Sequence, residues 1–187
     1  MASIITATTS SGLTQSADNS GVLQLASGTG NLVTIPSVTG TAMVSGNMPA
    51  FSAYQNNPSQ SISATTYTKV TLSTEEFDTA NCFSSSRFTP NVAGYYQING
   101  QVTLVSGTTG NRTTVFIYKN GVAYKVGVAV PFNSVNNIAN SVSSLVYLNG
   151  TTDYVELYVW SGAATTLTYQ AELSDSCYMN GFLARTA

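Results

Sequence analysis

Histidine is absent from the chain, and its absence removes the usual general base near neutral pH, Ser-His-Asp triads and imidazole metal ligands. Charge is nearly as scarce. Asp, Glu, Lys and Arg together make up 7% of the 187 residues, against roughly 25% in ordinary soluble domains. The six cations (Lys69, Arg87, Arg112, Lys119, Lys125 and Arg185) are scattered and form no stripe, and the net charge is −2. That balance argues against nucleic acid as a partner. No apolar run approaches the ~18 residues of a membrane-crossing helix, so no membrane insertion is expected. The two cysteines, Cys82 and Cys177, lie far apart and in no metal-ligand spacing.

The few acidic residues offer no catalytic pair. Asp153 and Glu156 are three apart on a predicted strand and so point to opposite faces, and the adjacent Glu75 and Glu76 diverge in the same way. No lysine has a serine three residues before it, which excludes the Ser-x-x-Lys nucleophile. "SGTGN" (27–31) lacks the lysine of a phosphate loop and reads as a turn. No catalytic, cofactor-binding or metal-binding residue can be nominated, and the chain is not expected to be an enzyme. "MASIITATTSSG" has no basic region and too short an apolar run for a signal peptide, so assembly in a cytoplasm is expected. In that compartment the two cysteines read as buried free thiols, with a late-formed disulfide as the alternative.

What remains is 43% hydrophobic and rich in tyrosine, with 11 Tyr, 7 Phe and one Trp. The polar remainder is mostly Thr, Ser, Asn and Gln. Alternating runs punctuated by Gly and Asn, with no sustained helical period, predict an all-β protein. A surface with so little charge depends on closed edges or on partners to stay soluble. The chain divides near Pro49. Residues 1–48 contain short strand-like runs (Val22–Leu25, Leu32–Ile35, Thr41–Val44) between turns, with too few apolar residues for a core. They read as an arm, and residues 49–187 as the folded domain.

Within that domain "GYYQINGQVTLV" puts Tyr96, Ile98, Gly100, Val102 and Leu104 on one face and Tyr95, Gln97, Asn99, Gln101 and Thr103 on the other, the pattern of a half-buried strand. Two Asn-Gly dipeptides, Asn120-Gly121 and Asn149-Gly150, predict hairpin turns, because both central residues of a type I′ turn need positive φ. In "DYVELYVW" one face carries Val155, Leu157 and Val159, and the other Tyr154, Glu156, Tyr158 and Trp160. "TVFIY" (114–118) is likewise apolar on both sides. Such strands lie either within one large core or against a second subunit; the second reading is preferred and makes Tyr95, Phe116, Tyr118, Tyr154, Tyr158 and Trp160 the expected subunit interface.

"RFTPNVAGYYQINGQV" resembles the signature of the complement C1q globular head, whose jelly roll is shared with the tumour necrosis factor superfamily. The pattern of a Phe, five residues, then Gly-x-Tyr-x-aromatic falls on Phe88, Gly94 and Tyr96, with Ile98 where the family has an aromatic. "PAFSAY" (49–54), "KNGVAY", "LVYLNGTTDYVELYV" and "CYMNGFLA" (177–184), the last with Gly181, Phe182 and Leu183, resemble further strands in family order. The resemblance implies an antiparallel jelly-roll β-sandwich that forms a homotrimer, with a core built on Phe88, Gly94, Tyr96, Ile98, Val155, Leu157, Gly181, Phe182 and Leu183. "SGLTQSADNSGVLQLASGTGNLVTI" is similar to segments at the start of phage tail-fibre and other virion surface proteins.

Together these resemblances imply a trimeric decoration or cement protein on the outer surface of a phage virion. Its arm, residues 1–48, would grip the major capsid protein or another virion protein, and the jelly roll would project. A secreted complement relative would carry a signal peptide and commonly a collagen-like stalk. The alternative is a tail-fibre tip whose polar loops at 105–114 and 131–141 recognise a host glycan or protein.

Overall fold

The computed structural model describes residues 23–26, 32–35, 48–56, 59–105, 111–132, 137–168 and 176–187. The predicted turn at 27–31, the run Thr41–Val44, most of the arm, and the loop stretches 106–110 and 133–136 lie outside the described residues. By its contacts the chain forms two compact units, Met1–Thr41 and Ala42–Ala187, a division slightly earlier than Pro49. The first unit contains an antiparallel pair, β1 (Leu23–Ala26) and β2 (Leu32–Ile35).

The second unit is a two-layered antiparallel sandwich, and no helix occurs among the described residues. Its strands are β3 (Ala50–Tyr54), β4 (Ser59–Ile62), β5 (Tyr67–Lys69), β6 (Thr74–Asp78), β7 (Phe83–Ser84), β8 (Arg87–Phe88), β9 (Gly94–Leu104), β10 (Arg112–Lys119), β11 (Val122–Pro131), β12 (Ile138–Leu148), β13 (Val155–Ser161), β14 (Thr165–Thr168) and β15 (Tyr178–Thr186). The seven-stranded sheet runs β4-β14-β9-β15-β3-β6, with β12 also paired to β9. The six-stranded sheet runs β11-β10-β13-β8-β7, with β5 also on β13.

Alternation explains which residues meet between the layers. Tyr96, Ile98, Val102 and Leu104 of β9 are buried, as are Met179, Gly181 and Leu183 of β15 and Val146 and Leu148 of β12. Val115, Ile117, Val155, Leu157 and Val159 face them from the six-stranded sheet. The rings of Phe51 and Phe88 stack at 4.2 Å, and the ring of Tyr96 meets Phe88 edge-on at 5.5 Å. Burying a side chain of this size removes enough apolar surface from water to stabilise the fold by about 1.5–3 kcal/mol. Phe88, Gly94, Tyr96, Ile98, Val155, Leu157, Gly181 and Leu183 thus all lie in the interior.

Two expectations are corrected. Phe182 is not in the core but is 50% exposed. It lies between Gly181 and Leu183, both of which point inward, and a period of two puts the residue between them on the opposite face. The second Asn-Gly dipeptide does not close a hairpin either. β12 pairs with β9 in one sheet, while β13 pairs with β10, β8 and β5 in the other, so Asn149-Gly150 lies where the chain crosses between sheets. Only Gly150 has positive φ there, at 73°. The first dipeptide makes the turn its chemistry favours, with φ of 53° at Asn120 and 78° at Gly121 between β10 and β11.

Candidate functional site

The outer face of the six-stranded sheet carries the largest collection of unusual side chains. Strands β10, β13, β5 and β8 lie side by side, and their outward positions bring Phe116, Tyr118, Tyr154, Glu156, Tyr158, Trp160, Tyr67, Lys69 and Arg87 to one surface. Tyr118 and Tyr158 stack at 3.9 Å and 17°, and Phe116 meets Tyr67 edge-on at 5.2 Å. Glu156 sits among these rings with its side chain 3% exposed. A carboxylate so far out of water needs paired donors. Its Oε1 accepts from Lys69 Nζ at 2.7 Å and from Arg87 Nε at 2.9 Å. Lys69 Nζ also donates to Ser85 O, and the Arg87 guanidinium lies 3.8 Å from the centre of the Tyr154 ring. The charge of Glu156, placed by sequence on an aromatic face, is therefore held by cations that are distant in the chain.

Burial pushes the Tyr118 and Tyr158 phenols above their ordinary pKa; nearby Tyr67 and Tyr158 add to the effect at Tyr118, as Glu156 does at Tyr158. Asp153 lies before β13, and so does not share its alternation with Glu156. It accepts from Asn120 Nδ2 at 2.7 Å and pairs with Lys119 at 2.9 Å, and the Asn120 bond leads in holding its carboxyl below the usual value.

The six residues expected at the interface do not form one surface. Phe116, Tyr118, Tyr154, Tyr158 and Trp160 belong to the face just described. Tyr95 lies on the outer face of the seven-stranded sheet, where its ring meets Tyr147 at 5.4 Å. That second face carries a hydrogen-bonded row. Ser143 Oγ donates to Asn99 Oδ1 at 2.8 Å, Asn99 Nδ2 to Asn180 Oδ1 at 3.0 Å, and Ser52 Oγ to Glu76 Oε2 at 2.5 Å. Beside the row, Phe77 and Phe182, each 50% exposed, border a shallow cleft floored by Ser52, Asn180 and Gly181. Leu145, Tyr147 and Tyr95 are also exposed there.

The β11 end of the six-stranded sheet escaped the sequence reading; Val126 stands opposite Phe116 and so continues the outer face described first. Among the described residues β11 pairs with β10 alone and β12 with β9 alone, so both are edge strands. They close the same side of the sandwich, where Gly127 packs against Ser141 and Val142. β11 exposes Val122, Tyr124, Val126 and Val128, with Lys125 its one charge. A long apolar edge with so little charge is the kind that soluble proteins usually cover. The available signal was alternation of valines across "VAYKVGVAV" next to a turn, which by itself also fits a buried strand.

Among the described residues no group of three or more His, Cys, Asp or Glu side chains is placed to hold a metal ion. Both cysteines are buried, and no disulfide joins them.

No family model and no curated protein matches the chain. Solved structures do. The globular domain of zebrafish complement 1qA protein superposes with a TM-score of 0.52 at 19% identity, covering 74% of this chain and 98% of that one. Eiger TNF from S. frugiperda gives 0.55 at 9% identity over 75% and 95% of the two chains, and murine APRIL 0.51 at 11% over 73% and 98%. At these identities the likeness is one of fold: an antiparallel jelly roll of the C1q and tumour necrosis factor kind.

Proposed function

We propose that the chain is a non-enzymatic structural protein that assembles as a homotrimer and decorates the outside of a phage particle, with residues 1–48 as its attachment arm. The observation that carries the assembly is the presence of two unlike apolar surfaces on one protomer. One is the β11 edge with Val122, Tyr124, Val126 and Val128; the other is the seven-stranded face with Phe77, Phe182, Leu145 and Tyr147. Unlike surfaces that fit each other make a head-to-tail contact, and such a contact closes into a ring when the rotation allows. The jelly-roll fold favours three copies, since C1q and tumour necrosis factor domains typically form homotrimers. The virion role rests on the composition of the arm and on a charge-poor surface suited to permanent assembly.

Light scattering on the full chain checks the trimer, and two variants check its polarity. Val126→Lys and Phe182→Lys should each give monomers. Mixed, they should form a dimer, because one intact edge still meets one intact face. A monomer mass for the parent would overturn the assembly. Particles that take up the chain equally well without residues 1–48 would overturn the arm's assignment.

A second reading, a tip module that recognises a host surface, is favoured by a different observation: the aromatic and cationic face of the six-stranded sheet, on strands set in from the β11 edge.

A further inference from the structure

We infer that the outer face of the six-stranded sheet binds an acidic carbohydrate, a polymer or oligomer bearing sugar carboxylates; the inference rests on the recognition reading just given and narrows it to a ligand class and a surface. Three of the chain's six cations, Lys69, Arg87 and Arg112, lie on this face, and Glu156 is the carboxylate set among them. The excess is positive on a chain whose net charge is −2. The carboxylate is spent inward on Lys69 and Arg87, and Arg112, which is exposed, lies 5.9 Å from the Trp160 ring. The field toward solvent therefore favours an anion.

The rings decide what kind of anion. Tyr118 and Tyr158 stack on each other, so each has one ring face occupied, and their hydroxyl ends are part of what they offer. The buried hydroxyl of Tyr96 donates to Val92 O, but the hydroxyls of Tyr67, Tyr118, Tyr154 and Tyr158 make no hydrogen bond with another described residue. A surface of phenol hydroxyls beside cations matches sugar hydroxyls and carboxylates. A polynucleotide would instead seek free ring faces on which to stack its bases. Tyr67 and Trp160, directly opposite each other on β5 and β13, supply a single ring contact beside Phe116 and Arg112, one stacking place and not a row of them.

The test uses the full chain, with galacturonate oligomers as the probe and two controls: the same oligomers methyl-esterified, and oligothymidylate. Titration calorimetry should show galacturonate binding that weakens as salt rises, as screening of opposite charges requires. The double variant Tyr67→Ala, Arg112→Gln, which leaves Glu156 and its partners in place, should bind about tenfold more weakly. Light scattering on the same sample should show its assembly state unchanged. Equal binding of the neutral ester would overturn the acidic preference while leaving sugar recognition standing. Binding of none of the sugars would overturn both. Tighter binding of oligothymidylate, or full galacturonate affinity in the double variant, would overturn the inference.

Discussion

The side chain of Leu157, from the six-stranded sheet, packs over Gly100 in the seven-stranded sheet, and its Cδ1 lies 2.4 Å from where a Cβ on residue 100 would stand. Both residues are buried. Position 100 breaks the run of large inward residues along β9, and the gap is filled from the opposite layer. The sheets can approach at this point because one partner has no side chain.

Gly100→Ala should therefore destabilise the fold by about 1–3 kcal/mol, as added volume in a packed core does. Leu157→Ala should cost about 2–5 kcal/mol by leaving a cavity. The pair combined should cost less than the sum, because the alanine methyl enters the space the leucine leaves. Urea unfolding of the four proteins gives the coupling. Strict additivity would mean that the two positions do not share that space.

Tyr96 and Phe182 separate fold from assembly. Tyr96→Ala removes a fully buried ring and its hydrogen bond to Val92 O, and should cost about 3–5 kcal/mol of protomer stability. Phe182→Ala should change the unfolding free energy of the protomer by no more than about 0.5 kcal/mol, since a half-exposed ring on an outer face contributes little to folding. Its effect should appear in the concentration dependence of the proposed trimer. A large protomer loss from Phe182→Ala would put the ring back in the core.

Glu156→Gln should destabilise by about 1–3 kcal/mol. The side chain is almost fully buried, but Lys69 and Arg87 remain 31% and 43% exposed and can turn to water once the carboxylate is gone. That freedom sets the estimate below the cost of breaking a wholly buried pair. Thermal unfolding at low and high salt checks it, and a neutral outcome at both would mean that the two ion pairs contribute nothing net to the fold.

The two Asn-Gly dipeptides show how far the sequence could be read. Local chemistry foretold the backbone at Asn120-Gly121, where the turn's positive φ values are the whole of the structure. At Asn149-Gly150 the same letters serve a crossing between sheets. Asn149 Oδ1 there accepts from the N–H groups of Thr151, Thr152 and Asp153, at 3.0, 2.9 and 2.9 Å. A dipeptide encodes a conformation, not the strand on the other side, and the choice of sheet is made by packing. Alternation identified the inward residues of β9 and β13 because each strand's faces differ. Alternation also sets Phe182 outward between Gly181 and Leu183; only the family motif, which groups the three residues, implies a core place for it. The Lys69–Glu156–Arg87 cluster spans 87 positions, and only pairing of β5 and β8 with β13 brings it together.

Asn149→Ala should cost about 1–3 kcal/mol, since it strips three backbone donors of one acceptor, while Asn149→Asp keeps that acceptor and should cost less. Denaturation midpoints of the two variants check the order. Equal losses would assign the cost to the amide nitrogen, which donates to Thr152 Oγ1 at 2.9 Å.

Stability should fall in alkali for an identifiable reason. Burial raises the pKa of the Cys82 and Cys177 thiols above 9.0, with Asp78 adding to the effect at Cys82, and burial raises the Tyr96 phenol well above 10.0. Each group is neutral when protonated, and each holds its proton more tightly folded than unfolded. The contribution is thus fully present below the unfolded pKa and is lost as pH rises from there toward the folded one. Loss should begin near pH 9 with the thiols and steepen above about 10 as unfolded tyrosine ionises. At neutral pH both thiols should resist labelling in the native protein and react fully on denaturation without reductant, because little thiolate exists in the fold. A reductant-dependent gain would indicate a disulfide. Tyr96→Phe isolates the phenol: it should cost about 1 kcal/mol at pH 7 through the lost bond to Val92 O, yet lose stability less steeply above about pH 10. Urea midpoints of parent and variant measured across that range decide the matter, and parallel curves would remove Tyr96 from the alkaline transition.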